Sequence, residues 1–104
     1  MEPTERIREM EEILQAAKDV LTRLDDALED YAALWEKLRA LDRYYGGADW
    51  RADLARDEAG LFPATLRRGV LSEDEVYNLL SDERRVLEQM RQLLAANTER
   101  EDSP

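Results

Sequence analysis

The run IREMEEILQAAKDVLTRLDDALEDYAALWEKLRAL, residues 7–41, decides the fold. Ile7, Met10, Leu14, Ala17, Leu21, Leu24, Leu28, Tyr31, Trp35 and Leu38 alternate at spacings of three and four. Residues so spaced share one face of an α-helix. A second row, Ile13, Val20, Ala27, Leu34 and Leu41, lies beside the first at a spacing of seven. With Ile7 as position a of a seven-residue repeat, the first row fills a and d, and the second fills g. Three apolar positions per repeat exceed a bare two-stranded seam and suit a bundle core. The remaining positions carry residues such as Glu9, Glu12, Asp19, Arg23, Asp26, Glu29 and Lys37, the composition of a solvated face.

Working outward, Pro3 suits a first helical turn, where a missing N–H costs nothing. No further Gly or Pro occurs until Gly46-Gly47, which stops the helix. A first helix over residues 3–45 follows. Within it Tyr31-Ala32-Ala33-Leu34-Trp35 is apolar nearly all round. It is expected to be contacted from more than one side, by neighbouring elements of its own fold or by a partner's groove. Trp35 and Trp50 are both expected to be largely buried.

Residues 46–72 read as a compact, partly helical connector. Asp49 is placed to cap a short helix holding Trp50, Leu54 and Ala55 and ended by Gly60. Phe62-Pro63 breaks direction, and Pro63 to Arg68 reads as one more helical turn closed by Gly69. Ser72 and Glu75 have capping-box spacing, with Leu71 and Val76 placed as a hydrophobic staple. A last helix over 73–96 then turns Val76, Leu79, Leu80, Val86, Leu87, Met90, Leu93 and Leu94 inward. Residues 97–104 are polar and read as a disordered tail.

The fold class is therefore all-α: a long N-terminal helix packed antiparallel on a shorter C-terminal helix through the connector. Lengths of roughly 65 Å and 36 Å at 1.5 Å per residue leave the first helix incompletely covered. Ile7, Met10, Ile13 and Leu14 lack an intrachain partner in this reading. Two readings stay open. Either two chains pack these ends antiparallel as a dimeric four-helix bundle, or a monomer offers them to another protein.

Composition narrows the chemistry. The chain of 104 residues makes one small domain with neither Cys nor His. Disulfide and thiolate chemistry are absent, as are the commonest general base and transition-metal ligand. Net charge is −10, concentrated in the two outer segments around a balanced centre. That disfavours direct nucleic-acid binding. No run of about 18 apolar residues is present, and the charged start, Met-Glu-Pro-Thr-Glu-Arg, lacks a signal-peptide core. A cytoplasmic protein is expected, with no membrane partner.

Carboxylate pairs occur at Glu9/Glu12 and Asp26/Glu29, a spacing that all-helical, Mg-dependent nucleotide hydrolases use. The first pair falls on the outer face, no matching pair occurs on the last helix, and solvation is the simpler account. In the connector, Asp53 and Asp57 are expected to pair with Arg51, Arg56, Arg67 or Arg68, or else to flank a ligand pocket near Tyr45 and Trp50. Arg67 and Arg68 are also candidates to receive an acidic partner. No catalytic, cofactor-binding or metal-binding residue is assigned.

The block Tyr44-Tyr45-Gly46, Trp50, Asp57-Glu58-Ala59-Gly60, Leu66, Arg68-Gly69-Val70-Leu71-Ser72-Glu73-Asp74 and Leu79-Leu80 resembles a family of small bacterial helical proteins catalogued only as a domain of unknown function. The resemblance extends over nearly the whole chain. It implies a bacterial cytoplasmic helical domain, attaches no activity or ligand, and transfers no site residue. The residues themselves point to a non-enzymatic protein–protein interaction module. An acidic decoy that occupies the groove of a nucleic-acid-binding protein is the alternative, and a Mg-dependent hydrolase a more distant one.

Overall fold

The computed structural model describes residues 2–101, apart from the side chain of Glu101. Among them there is no strand. The elements are α1 (Pro3–Tyr44), α2 (Ala48–Glu58), a 3-10 turn (Gly69–Leu71) and α3 (Glu73–Glu101). Two compact units divide the chain at Arg39: Met1–Arg39 and Ala40–Pro104.

The first unit is helix throughout its described length from Pro3. A single helix has no interior, and the exposures show it. Ile7, Met10, Ile13, Leu14, Val20, Leu21, Leu24, Leu28, Leu34 and Trp35 are all between 41% and 63% exposed. Only Leu38, near the unit's end, is buried. The expectation that Trp35 is buried is thus corrected: it is 48% exposed. Its indole is met by the Arg39 guanidinium 5.5 Å from the ring centre, one turn on. Within Tyr31-Ala32-Ala33-Leu34-Trp35 only Tyr31 is half-buried, so its own fold does not enclose this block.

The second unit holds the chain's turns and most of its buried residues. α1 stops one residue before the expected Tyr45. Gly46 sits in the left-handed region at φ 77°, a conformation that side chains with a Cβ resist. Gly47 follows for a different reason: a Cβ there would stand 3.1 Å and 3.2 Å from the Arg43 and Tyr44 carbonyl oxygens. Gly47 is also the N-cap of α2, extended at φ −80° and ψ −179°, without a side-chain cap. Asp49 therefore does not cap. It lies inside the first turn, where its charge still favours the helix N-terminus. The cause is the chain's sharp reversal at Gly46-Gly47, which starts α2 two residues early.

α2 ends as the sequence suggests. The Gly60 N–H donates to the Asp57 carbonyl at 2.9 Å and the Leu61 N–H to the Arg56 carbonyl at 3.0 Å, the paired bonds of a Schellman motif. The helical turn expected over Pro63–Arg68 is not formed. A single turn takes its place, with the Leu66 N–H donating to the Pro63 carbonyl at 3.1 Å. Gly69 opens a 3-10 turn and does not close a helix. The Leu71 and Ser72 amides donate to the Arg68 and Gly69 carbonyls, and this bonding draws the chain into α3.

Ser72 is the N-cap of α3. Its backbone is extended, and its Oγ accepts from the Asp74 and Glu75 amides at 3.3 Å and 3.4 Å. The Ser72 amide is already committed to Gly69, so the reciprocal arm from Glu75 has no donor to receive. Leu71 and Val76, the staple residues, are buried at 7% and 4% exposure. Ser72→Ala is expected to lower stability by about 1 kcal/mol, with the long cap bonds arguing against more. A urea melt that leaves the midpoint unmoved would show that the cap contributes nothing.

α3 runs five residues beyond the expected end at Ala96. Asn97 Nδ2 and Thr98 Oγ1 donate to the Leu93 and Leu94 carbonyls, so these polar residues continue the helix. Of the expected tail, 102–104 lie outside the described residues. Val76 and Leu80 are buried in α3, whereas Leu79, Val86, Leu87, Leu93 and Leu94 are exposed by 41–66%.

Candidate functional site

The second unit gathers four charged side chains of the connector, Asp53, Arg56, Asp57 and Arg68, around one aromatic junction. Its centre is Trp50, 9% exposed, presented by the first turn of α2. The indole Nε1–H donates to the Val70 carbonyl at 2.8 Å, which ties α2 to the 3-10 turn. Tyr45 meets the indole edge-to-face, ring centres 5.4 Å apart at 73°. The Tyr45 hydroxyl then donates to the Glu73 carbonyl at 2.7 Å, at the start of α3. One aromatic pair thereby joins the end of α1 to α2, the 3-10 turn and α3, and both polar tips are satisfied.

Two ion pairs flank it. Arg68 donates to Asp57 at 2.6 Å, with both side chains partly buried. Arg56 donates to Asp53 at 3.0 Å, and the other Asp53 oxygen accepts from the Tyr44 hydroxyl at 2.8 Å. The Tyr44 phenol is raised above its ordinary value. Desolvation is the main cause, followed by the bond to Asp53 and the charges of Asp53 and Asp49. The expected pairing of Asp53 and Asp57 with connector arginines is thus what the structure shows. The two bonds to the Val70 and Glu73 carbonyls were not legible, since backbone acceptors leave no signature in side-chain identity, and the Tyr44–Asp53 bond was missed because it depends on the turn that brings α2 back to the end of α1.

The Tyr45 hydroxyl and the Trp50 indole N–H are both engaged by backbone carbonyls. The open hollow nearby, about 340 Å³, is lined by Ala40, Arg43, Tyr44, Gly47, Ala48 and Asp49. It brings one arginine and one aspartate to a shallow apolar floor. Among the described residues no three acidic side chains gather as an ion-holding group. Glu9, Glu12, Asp26 and Glu29 are all exposed.

The remaining candidate residues do not form one site. Arg68 is engaged with Asp57, while its neighbour Arg67 is exposed. Ile7, Met10, Ile13 and Leu14 lie on the first unit, with exposures of 61%, 52%, 55% and 45%. They share their face with Leu21, Leu24 and Leu28, so the exposed apolar row extends well beyond the four residues singled out from sequence. Its full extent was missed because helix lengths alone singled out only the N-terminal end.

A family model described as a domain of unknown function (DUF4298) matches residues 7–93. The chain belongs to that family. The match begins at Ile7, the first residue of the apolar row, and takes in the whole aromatic junction. No curated protein and no solved structure matches the chain. The block that carries the family resemblance is spent on architecture in this member. Tyr44, Tyr45, Trp50, Asp57 and Arg68 bond within the unit, Gly46 and Gly60 supply left-handed turns at φ 77° and 75°, and Ser72 caps α3. Among the described residues no helix is long and apolar enough to cross a membrane.

Proposed function

We propose that the protein is a non-enzymatic protein–protein interaction module, with the α1 apolar face as the binding surface. One observation carries this reading: ten large apolar side chains on α1 are each about half exposed. A typical soluble monomer limits its largest apolar patch to a few hundred Å². Burying the exposed half of each side chain is worth about 1 kcal/mol, on the order of 10 kcal/mol in total. That is a large driving force for association, and it lies apart from any constellation of acid, base and nucleophile.

The fuller arrangement within this proposal is a helical bundle. In it the a, d and g rows of α1 together meet a helix of the binding partner.

The test compares a tagged wild-type chain with one carrying Leu14→Asp and Leu28→Asp, in a cell extract that also holds untagged copies of the chain. The wild type should retain bound protein that the substituted chain loses. Equal retention by both would remove the apolar face from the account.

A further inference from the structure

We infer that the partner on the α1 face is a second copy of this chain, paired antiparallel in one register, with Leu21 against the partner's Leu24. This rests on the reading of α1 as an interaction surface and commits it to one occupant. Three observations select it.

The first is area. Ten half-exposed large side chains leave on the order of 800 Å² of apolar surface, about what each partner contributes to a standard stable interface. A two-fold pair of identical faces satisfies both chains at once.

The second is orientation. The positions flanking the seam differ in character: g carries Ile13, Val20, Ala27 and Leu34, while e carries Glu11, Lys18, Asp25, Ala32 and Arg39. Parallel helices set g beside e of the other strand, placing Ile13 next to the partner's Lys18 and Val20 next to the partner's Asp25. Antiparallel helices set g beside g and e beside e. Apolar then meets apolar on one side, and charge meets charge on the other.

The third is register. With Leu21 on the partner's Leu24, Lys18 falls beside the partner's Asp25, and symmetry repeats the pair. Leu14 meets the partner's Tyr31, and the small Ala17 meets the partner's Leu28. A slip of seven residues one way sets Lys18 against the partner's Lys18 and Glu11 against the partner's Asp25. A slip the other way sets Asp25 against the partner's Asp25 at the centre and moves the opposite charges, Glu11 and the partner's Arg39, to the ends. Only the middle register pairs opposite charges at the centre. Lys18 and Asp25 are both exposed and two helical turns apart in their own chain, too far to pair with each other.

The experiment uses sedimentation velocity on the full chain, on Lys18→Glu, on Asp25→Lys, and on an equal mixture of the two variants. Each variant alone sets like charges across both symmetric junctions and should dimerise roughly tenfold or more weakly than the wild type. The mixture sets opposite charges across both and should recover association close to that of the wild type. Circular dichroism checks that both variants keep their helix. The pairing is overturned by a wild type that stays monomeric at tens of micromolar, by single variants that dimerise as the wild type does, or by a mixture as weak as its components. A monomeric wild type that still loses another bound protein on Leu14→Asp with Leu28→Asp would overturn self-pairing alone and leave the interaction surface standing.

Discussion

Trp50→Ala is expected to destabilise the second unit by about 3–5 kcal/mol, the usual range for an aromatic truncated in a packed site. Three losses coincide. The ring is one of few buried groups in the chain, at 9% exposure, so its removal opens a cavity where little else can collapse. The Val70 carbonyl loses its 2.8 Å donor. Tyr45 loses the edge contact that holds its hydroxyl on the Glu73 carbonyl. Trp50→Phe keeps most of the ring and deletes only the donor, so about 1–2 kcal/mol is expected, the range for an unsatisfied acceptor plus a small volume change. Urea unfolding followed by near-ultraviolet circular dichroism measures both. A loss below about 1 kcal/mol for the alanine variant would mean that the junction is not what holds the unit together.

The second large effect concerns association. Leu21→Asp with Leu24→Asp should leave the chain monomeric at every accessible concentration. In the proposed pairing these two leucines meet their counterparts at the two-fold axis, so a dimer loses four leucines and gains four carboxylates. At about 1 kcal/mol for each half-exposed leucine the lost burial is about 4 kcal/mol, and four carboxylates brought together at the axis weaken the pair further. A micromolar dimer holds only about 8 kcal/mol in total. Both residues are already about half exposed within their own chain, so the fold of one subunit has little to lose. Sedimentation reports the mass, and far-ultraviolet circular dichroism reports whether helix survives. A dimer that persists would place the interface elsewhere.

Much of the fold was legible because helix signals are local. The three-four spacing marked α1, Gly46 stopped it, Gly60 closed α2, and Ser72 with Leu71 and Val76 marked the start of α3 to the residue. Errors arose where a neighbour's geometry overrode a local preference. Asp49 reads as a cap, yet the tight reversal at Gly46-Gly47 starts α2 at Ala48 and leaves Asp49 inside the first turn. Asn97 and Thr98 read as a frayed end, yet both donate to carbonyls one turn back and remain helical. Trp35 shows the limit most plainly. Periodicity says which face of a helix is apolar, but not whether the chain's own segments or another molecule will cover it. The candidate surface was therefore visible only at its N-terminal end, where helix lengths alone left residues uncovered. The junction was visible as a cluster of residue types, without the carbonyls that bind it.

The central claim is that the apolar face of α1 is covered by a second copy of the chain. Sedimentation equilibrium of the unmodified protein from 1 to 100 μM, ~two decades around the affinity such an interface supports, tests it most directly. The account predicts a species of twice the 12.1 kDa chain mass that dissociates only towards the dilute end. A single species of 12.1 kDa across the whole range would contradict it.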